Sequence, residues 1–551
     1  MDGRLRIERW LESLVREAIK AIEIDSEASS ADIEISVPKS PEQGDFSTNI
    51  ALKAAKAAKK LPTALASEIA GAIKAAGTPI TKIEVANPGF INFFLAPAVY
   101  QDELLQILKN GEEYGSIELN APRSIIVEYV SANPTGPVHI GNARGGAVGD
   151  SIANIFAKAG WTVLKEFYVN NAGNQIAKFG QSLSARYMQL SDASYPFPED
   201  GYMGDDIKEL ARQYAAGSDN GLESKSDGER EAILSEYALS HNIAKMKADL
   251  LRYGIGYDNW FFESTLYESA NGEVLELLRG NGAVYEKDGA VWFEATKFGC
   301  EKDEVLLRSN GLPTYMLSDI AYHYDKLHKR GFDIAANVWG ADHHGHVARM
   351  KAAMQALGID PNRLVIILIQ LVHLVEGGET VRMSKRKGQI AELSDLIDEV
   401  GSDAARFIFN LNNASTHIDF DLSLAVEQSN ENPVFYVQYA HARIMSILKN
   451  INAEDGAIDQ SLLAEPSEMA LLKKLCEFSK EIYQAAIEFD PSRITRYAYS
   501  LATLFHSFYN AVRVNNDDMA LRAARLSLVK AVGIVLRSSL SLIGVSAPES
   551  M

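Results

Sequence analysis

A short polar segment, His139-Ile-Gly-Asn142, has the composition of a nucleotide-binding turn. The apolar residues 125–127 predict a buried strand before it, Asn133-Pro-Thr-Gly-Pro137 interrupts that strand, and the glycine-rich stretch 141–149 predicts a closely packed helix. A helix N-terminus attracts phosphate through its free amide groups and its dipole. Ligands of open α/β sheets lie at the carboxyl edge of the strands. We therefore expect this turn to bind a nucleotide.

A second segment, Val381-Arg-Met-Ser-Lys-Arg-Lys-Gly388, concentrates cationic side chains. Gly377 and Gly378 precede it and permit a tight turn. A lysine on such a loop can neutralise the charge that develops on an α-phosphate and on leaving pyrophosphate. Taken alone, the segment could be a solvated basic turn. Together with the first segment, it predicts the second half of an ATP site.

The two segments resemble the signature motifs of class I aminoacyl-tRNA synthetases, here His139-Ile-Gly-Asn142 and Met383-Ser-Lys385. Three further segments narrow the resemblance to the bacterial arginyl-tRNA synthetases, and the similarity extends over the whole chain. These segments are 128–137, 312–321 and 338–346.

The resemblance implies an enzyme that uses ATP and Mg²⁺ to activate L-arginine as an adenylate. The arginyl group then passes to the 3′-terminal ribose of tRNA(Arg), and AMP and pyrophosphate are released. His139 and Lys385 are implied to be catalytic. The residues implied to bind ATP are His139, Gly141, Asn142, Met383, Ser384 and Lys385. Asn142 departs from the pattern, because class I enzymes often carry histidine there, but an amide can still hydrogen-bond a phosphate or a ribose.

Recognition of arginine needs carboxylates and neutral acceptors in a fixed arrangement, because a guanidinium is planar, permanently charged and a multiple donor. Tyr315 and Asp319 are spaced so that both project from one face of a helix. The resemblance assigns both to the arginine side chain and assigns Glu128, Asn133 and Asp342 to arginine binding as well. Asn133 could instead be only a turn residue, and Tyr315 could be a core residue.

The segment Asp342-His-His-Gly-His346 contains side chains that could bind a metal. It follows a predicted strand and so falls at the carboxyl edge of the sheet, which favours residues of the substrate pocket over metal ligands or purely structural residues. Cys300 and Cys476 stand in no Cys-x-x-Cys arrangement. We therefore expect neither a disulfide framework nor a structural zinc site.

The expected fold is multidomain α/β. Residues 1–115 predict an α+β module, for which the resemblance implies contact with the outer corner of the tRNA. Residues 116–395 predict a Rossmann-like catalytic domain built on a parallel sheet, with the signature loop at 381–388. An insertion at about 175–300 is too irregular to continue the sheet, although it contains a hairpin with Asp288-Gly289 as its turn. Residues 396–551 predict an all-α bundle without strands.

The formal net charge of -19 argues against a nucleic-acid partner, but local charge matters more than the sum. Residues 491–537 contain seven basic and two acidic residues, so this stretch could face a polyanion or could simply be a solvated helix surface. The resemblance implies an anticodon-binding bundle, and our candidate tRNA contacts are Arg493, Tyr509 and Arg513. Aromatic residues at helical spacing, as in this stretch, are often core residues instead.

The chain has no apolar run of membrane length and no apolar core of a signal peptide near its N-terminus. We expect a cytoplasmic protein without membrane contact, and the resemblance implies a monomer. Two rival functions stay open. One is a synthetase for another amino acid, and the other is a tRNA-binding paralogue without catalysis. The presence of His139, Lys385 and Asp319 argues against the paralogue.

Overall fold

A computed structural model of the chain describes most of its residues. Three of the predicted ATP-binding residues, Met383, Ser384 and Lys385, lie outside the described residues. The described residues are 3–22, 32–217, 221–267, 269–377, 379–380, 392–451 and 458–551.

The N-terminal region is an α+β unit, as predicted. Its four strands form an antiparallel sheet in the order β1-β2-β4-β3. Leu11 and Val15 on the amphipathic first helix are fully buried. The short strand β2 was not predicted. In chain order the elements are α1 (Gly3–Ala21), β1 (Ile35–Ser36), β2 (Phe46–Thr48), α2 (Ile50–Ala58), α3 (Pro62–Ala72), β3 (Ile80–Ala86), β4 (Phe90–Leu95) and α4 (Ala98–Asn110).

The middle of the chain contains the predicted parallel sheet, with five strands in the order β12-β11-β5-β6-β7. Its elements are β5 (Ser124–Glu128), α5 (Ile140–Lys158), β6 (Thr162–Val169), α6 (Asn174–Met188), α7 (Asp205–Gly217), α8 (Asp227–Arg252), β7 (Asn259–Phe262), α9 (Ser264–Tyr267), α10 (Ala270–Gly280), β8 (Val284–Lys287), β9 (Ala290–Phe293), β10 (Glu304–Leu307), α11 (Tyr315–Tyr324), β11 (Ile334–Gly340), α12 (His344–Ala356) and β12 (Leu364–Ile369).

The central strand β5 shows why this sheet was predictable. Ile125, Ile126 and Val127 are all completely buried, because helices cover both faces of a parallel sheet and its strands become continuous apolar runs. Strand β11 pairs with β5 in parallel, with Ile334 opposite Ile125. Strand β5 therefore joins β11 and β12 on one side of the sheet to β6 and β7 on the other.

The expectation that residues 175–300 stay outside the sheet is wrong at one place. Strand β7 lies within that stretch and forms the edge of the sheet by pairing with β6. It is only four residues long and aromatic, so its pairing depends on the neighbouring strand more than on its own pattern. The predicted hairpin is present as β8 and β9, with Asp288 and Gly289 at positive φ as its two-residue turn requires.

The C-terminal region is helical, as predicted, but a short strand, β15, also occurs after residue 395, where none was expected. It pairs with β13 (Val372–Glu376), and Gly401, at φ 79°, separates the consecutive helices α13 (Leu393–Val400) and α14 (Ser402–Phe409). The elements are β13 (Val372–Glu376), β14 (Glu379–Thr380), α13 (Leu393–Val400), α14 (Ser402–Phe409), β15 (Ile418–Asp421), α15 (Leu422–Val426), α16 (Pro433–Asn450), α17 (Pro466–Cys476), α18 (Phe478–Glu488), α19 (Ser492–Ala511) and α20 (Met519–Leu542). Within the part of the chain described here, no helix has the length and apolarity needed to span a membrane.

Candidate active site

A cavity of about 2090 Å³ opens at the carboxyl edge of the parallel sheet. Pockets for one small molecule usually measure roughly 300–1,000 Å³, so this cavity has room for more than one substrate. Seven of the residues predicted from the sequence lie in its wall. They are Glu128, Asn133, His139, Asn142, Tyr315, Asp319 and Asp342.

The segment after β5 makes a sharp turn at the cavity. Val130 and Ser131 have φ values of 68° and 43°, which are rare for residues other than glycine and concentrate at functional sites. The Ser131 hydroxyl donates to Glu128 Oε1 (2.9 Å) and accepts from the Tyr168 amide (3.1 Å). The strained turn therefore helps to fix the Glu128 carboxylate.

Helix α5 begins at the cavity with His139 as its N-cap residue. The amide of His139 donates to Asn142 Oδ1 (3.3 Å), so the side chain that departs from the family pattern caps the helix. Gly141 is exposed beside them. Further along α5, a Cβ on Gly149 would lie 2.4 Å from the Tyr129 side chain. Glycine at this position lets the helix pack directly against the end of β5.

Helix α11 presents Tyr315 and Asp319 to the cavity, as their spacing predicts. Tyr315 is 65% exposed, which excludes the alternative that it is a core residue. Asp319 Oδ2 lies 2.9 Å from His346 Nε2. The His346 ring packs against Trp339 at a centroid distance of 5.6 Å. The carboxylate of Asp319 is thus held by an imidazole that is itself fixed by packing.

Sequence reasoning missed a further carboxylate in the cavity wall, Glu263, which directly follows β7. Burial raises its pKa, a hydrogen bond from the Tyr267 hydroxyl acts in the opposite direction, and the charge of Asp319 raises it further. Burial and the charges of Glu263, Asp319 and Glu128 together raise the pKa of Tyr168. These three carboxylates therefore line the same cavity as the Tyr168 phenol. Recognition of β7 as a strand would have placed Glu263 at the sheet edge.

The segment 342–346 does not act as one cluster. His346 is directed toward Asp319, whereas Asp342 Oδ2 lies 3.6 Å from His343 Nε2. The Asp342 side chain is 82% exposed at the rim of the cavity. No group of three or more His, Cys, Asp or Glu side chains that could hold a metal ion occurs among the residues with described positions. Both His346 and Asp342 nevertheless line the cavity.

Asn133 is an exposed residue of the turn between β5 and α5. Its side-chain amide donates to Gln175 Oε1 (2.8 Å), which lies at the start of α6 and also lines the cavity. Asn133 therefore connects the turn to the helices of the insertion as well as facing the cavity.

Three family models match the chain over most of its length. They are the arginyl tRNA synthetase N-terminal domain over residues 9–95, the class I (R) tRNA synthetase catalytic domain over 103–444, and the DALR anticodon binding domain over 437–551. The chain belongs to the arginyl-tRNA synthetase family.

Members of the arginyl-tRNA synthetase family resemble it along the whole sequence. The arginine–tRNA ligase of Caldanaerobacter subterraneus subsp. tengcongensis is 52% identical over 94% of each chain, and that of Geobacillus kaustophilus is 45% identical over 99% of each chain. The arginyl-tRNA synthetase of Thermus thermophilus has the same fold, with a TM-score of 0.79 and 23% identity over 99% of this chain and 100% of that chain.

Acidic partners neutralise much of the basic stretch 491–537. Arg493 forms ion pairs with Glu481 (3.1 Å) and Glu488 (3.2 Å). Arg525 is buried against Glu468 (2.7 Å). Two further pairs are Arg496 with Asp490 and Arg537 with Glu549. Of the predicted tRNA contacts, Arg513 and Tyr509 are exposed.

The aromatic residues of the same stretch separate into two groups. Tyr497, Phe505 and Phe508 are core residues, as the alternative reading anticipated. Tyr509 instead belongs to a partly exposed aromatic face between α16 and α19, which the sequence did not reveal. On this face the Arg443 guanidinium lies 4.8 Å from the Tyr509 ring and 4.9 Å from the Tyr439 ring.

Proposed function

We propose that the chain attaches L-arginine to its cognate tRNA through an arginyl-adenylate, and that both steps occur in the cavity at the sheet edge. The observation that carries this proposal is that the carboxylates of Glu128, Glu263 and Asp319 line the same cavity as the N-terminus of α5. Carboxylates suit the cationic amino acid, and the helix N-terminus suits phosphate.

The charges of this group match those of arginine. Glu128, Glu263 and Asp319 supply three carboxylates, and the buried ammonium of Lys326 offsets one of them at Glu128. Arginine carries two cationic groups, an α-ammonium and a guanidinium. We assign the guanidinium to Asp319, Glu263 and the Tyr315 hydroxyl, and the α-ammonium to Glu128. Two further predicted arginine contacts, Asn133 and Asp342, lie at the edge of the same cavity.

ATP binds, in this proposal, against the start of α5. His139 contacts the phosphates, Gly141 lies under the adenine, and Asn142 offers its amide NH₂ group to a phosphate or to the ribose. Met383, Ser384 and Lys385 complete the site from the signature loop. Mg²⁺ would accompany ATP and would help to neutralise the charge of the leaving pyrophosphate. A Mg²⁺ ion held mainly by phosphates and water needs no cage of protein ligands.

The chemistry needs no covalent enzyme intermediate. The carboxylate of arginine attacks the α-phosphorus in line, and pyrophosphate leaves with the electron pair of the broken P–O bond. A hydroxyl of the 3′-terminal ribose then attacks the arginyl carbonyl, loses its proton, and AMP departs. The protein mainly positions the reactants and stabilises developing charge, His139 and Lys385 being the catalytic residues.

The tRNA contacts are also part of the proposal. Arg513 and Tyr509 contact the anticodon region, and Arg443 and Tyr439 belong to the same aromatic face. The weaker candidate is Arg493, since two glutamates already neutralise it. We further propose that the N-terminal module contacts the outer corner of the tRNA and that the protein acts as a cytoplasmic monomer.

An aminoacylation assay with total tRNA and a panel of labelled amino acids tests the proposed function. We expect ATP-dependent charging with arginine and none with lysine, glutamate or cysteine. Charging with a different amino acid would identify another synthetase. Absence of charging with any amino acid, in the presence of measurable tRNA binding, would identify a non-catalytic paralogue.

A further inference from the structure

A wholly buried lysine lies behind the wall of the cavity. The Lys326 side chain has no exposed surface, and its ammonium nitrogen lies 2.5 Å from Glu128 Oε2. The same nitrogen lies 3.9 Å from the centre of the Tyr322 ring and donates to Asn337 Oδ1 (3.4 Å). Lys326 therefore faces a carboxylate, an amide oxygen and an aromatic ring, all of which attract an ammonium group.

The lysine lies on a π-helical turn, Asp325–Lys329, that directly follows α11. Such turns are rare and are frequent at functional sites. The turn places Lys326 against β5 and β11, the strands that carry Glu128 and Asn337. One continuous helical segment thus carries Asp319 in the cavity wall and Lys326 behind it.

A hydrogen-bond chain runs from Lys326 to the backbone of Asp319. Because Asn337 Oδ1 accepts from Lys326, its Nδ2 is the donor, both to Glu128 Oε2 (3.0 Å) and to His323 Nε2 (2.8 Å). His323 Nδ1 then donates to the carbonyl of Asp319 (2.8 Å). The neutral imidazole fits its surroundings, since burial and the charge of Lys326 hold the pKa of His323 well below its usual value.

We propose that Lys326 is a positioning residue that holds the Glu128 carboxylate where it receives the α-ammonium group of arginine. The inference rests on the role proposed above for Glu128. Lys326 and Asn337 fix Glu128 Oε2, and Ser131 fixes Oε1. A carboxylate oxygen accepts more than one hydrogen bond, so a carboxylate held in this way still binds a cation on its cavity side.

The test compares two ligands by isothermal titration calorimetry on the full-length protein. One ligand is L-arginine, and the other is 5-guanidinopentanoate, which is arginine without its α-amino group. The proteins are the wild type, Glu128→Gln, Lys326→Met and Lys329→Met. Lys329 is the matched control, because it lies on the same π-helical turn and pairs with Glu273 at the surface (2.6 Å).

We expect Lys326→Met to weaken arginine binding about tenfold or more, the scale of a hydrogen bond to a charged group. Binding of 5-guanidinopentanoate changes little, because that ligand lacks the group that Glu128 receives. Glu128→Gln gives the same pattern, and Lys329→Met alters neither affinity. The KM for arginine rises in Lys326→Met while the KM for ATP stays near that of the wild type.

Equal weakening of both ligands by Lys326→Met, or no weakening, would overturn the inference. If Glu128→Gln discriminates between the ligands while Lys326→Met does not, only the inference fails. If Glu128→Gln binds arginine as tightly as the wild type, the proposed role of Glu128 fails as well.

A second variant covers the case in which Lys326→Met does not fold, as judged by circular dichroism. Asn337→Ala removes a neutral donor to the same oxygen of Glu128 and leaves the ion pair intact. Its affinity for arginine falls about tenfold, the lower end of the range for a hydrogen bond to a charged group, without a matching loss for 5-guanidinopentanoate. A parallel loss for both ligands would refute the inference.

Discussion

The guanidinium of Arg406 lies 2.5 Å from the carboxylate of Asp150, and both side chains are buried. Asp150 belongs to α5, the helix that begins at His139, and Arg406 belongs to α14. Arg406 also donates to the carbonyl of Ile543, just after α20 (3.0 Å). One arginine therefore connects the helix at the cavity to the end of the C-terminal helices.

We predict that Arg406→Met lowers the free energy of unfolding by about 3–5 kcal/mol, because it leaves the Asp150 charge buried without this partner. Urea unfolding followed by circular dichroism measures the change. The matched control is Arg212→Met, whose exposed partner, Glu209, lies at 3.7 Å. The control changes stability by less than about 1 kcal/mol. An equally small effect of Arg406→Met would show that the pair does not hold the two regions together.

The ion pair between Arg406 and Asp150 also makes the free energy of unfolding depend on pH. Burial acts to raise the pKa of Asp150, but Arg406 and Lys165 outweigh it, and the pKa lies below its usual value. A lowered pKa in the folded state contributes stability above the unfolded pKa of about 3.9, and that contribution disappears as the pH falls. We therefore expect wild type and Asp150→Asn to differ most in unfolding free energy near neutral pH and to converge below about pH 4. A constant difference would contradict the assignment.

Asp319→Asn tests the arginine end of the cavity. It removes the charge that we propose faces the guanidinium, so we expect the KM for arginine to rise about 10-fold to 100-fold, as for a lost charged hydrogen bond. The KM for ATP stays close to that of the wild type. Steady-state aminoacylation kinetics measure both constants. Asp342→Asn, on the exposed rim, serves as the comparison with a smaller effect, and equal changes in both KM values would mean that the pocket is misplaced.

Lys385→Ala tests the signature loop. We expect the single-turnover rate of adenylate formation to fall about 100-fold or more, because the role proposed for this lysine is to neutralise charge that develops only in the transition state. Arginine affinity changes little, which provides an internal control. An unchanged single-turnover rate would remove Lys385 from the catalytic residues.

Arg513 and Arg493 are two predicted tRNA contacts with different surroundings, so their variants can be compared directly. Arg513 is exposed, whereas Glu481 and Glu488 already neutralise Arg493. We expect Arg513→Ala to weaken tRNA binding several-fold and to reduce its dependence on salt, since one phosphate contact is lost. Arg493→Ala has the smaller effect in the same filter-binding titration. The reverse order would show that Arg493 leaves its glutamates to meet the tRNA.

Some features of the cavity could be predicted because their information is local. The turn after β5 is formed by consecutive residues. Tyr315 and Asp319 lie on one helix, so their spacing alone predicts that they share a face. The apolar run 125–127 follows directly from burial on both faces of the sheet. Each of these patterns lies within about one element, where residue type and period are sufficient.

Other features depend on contacts between distant parts of the chain. Glu263 lines the cavity only because the short strand β7 pairs with β6, and Lys326 meets Glu128 only because β5, β11 and the π-helical turn come together. The boundary between α13 and α14 at Gly401 likewise depends on a backbone conformation that the periodic pattern does not report. A short segment of the sequence therefore does not reveal these contacts or this conformation.

The pairing of β5 with β11 has a consequence for synthesis on the ribosome. Roughly 200 residues, including the whole insertion, separate the two strands in the chain. At about 5–20 residues per second, the ribosome takes about 10 to 40 s to deliver β11 after β5 has emerged. During that time the central strand of the sheet has one edge without its native neighbour. The order of the strands thus makes the nascent chain dependent on temporary protection of an unpaired edge.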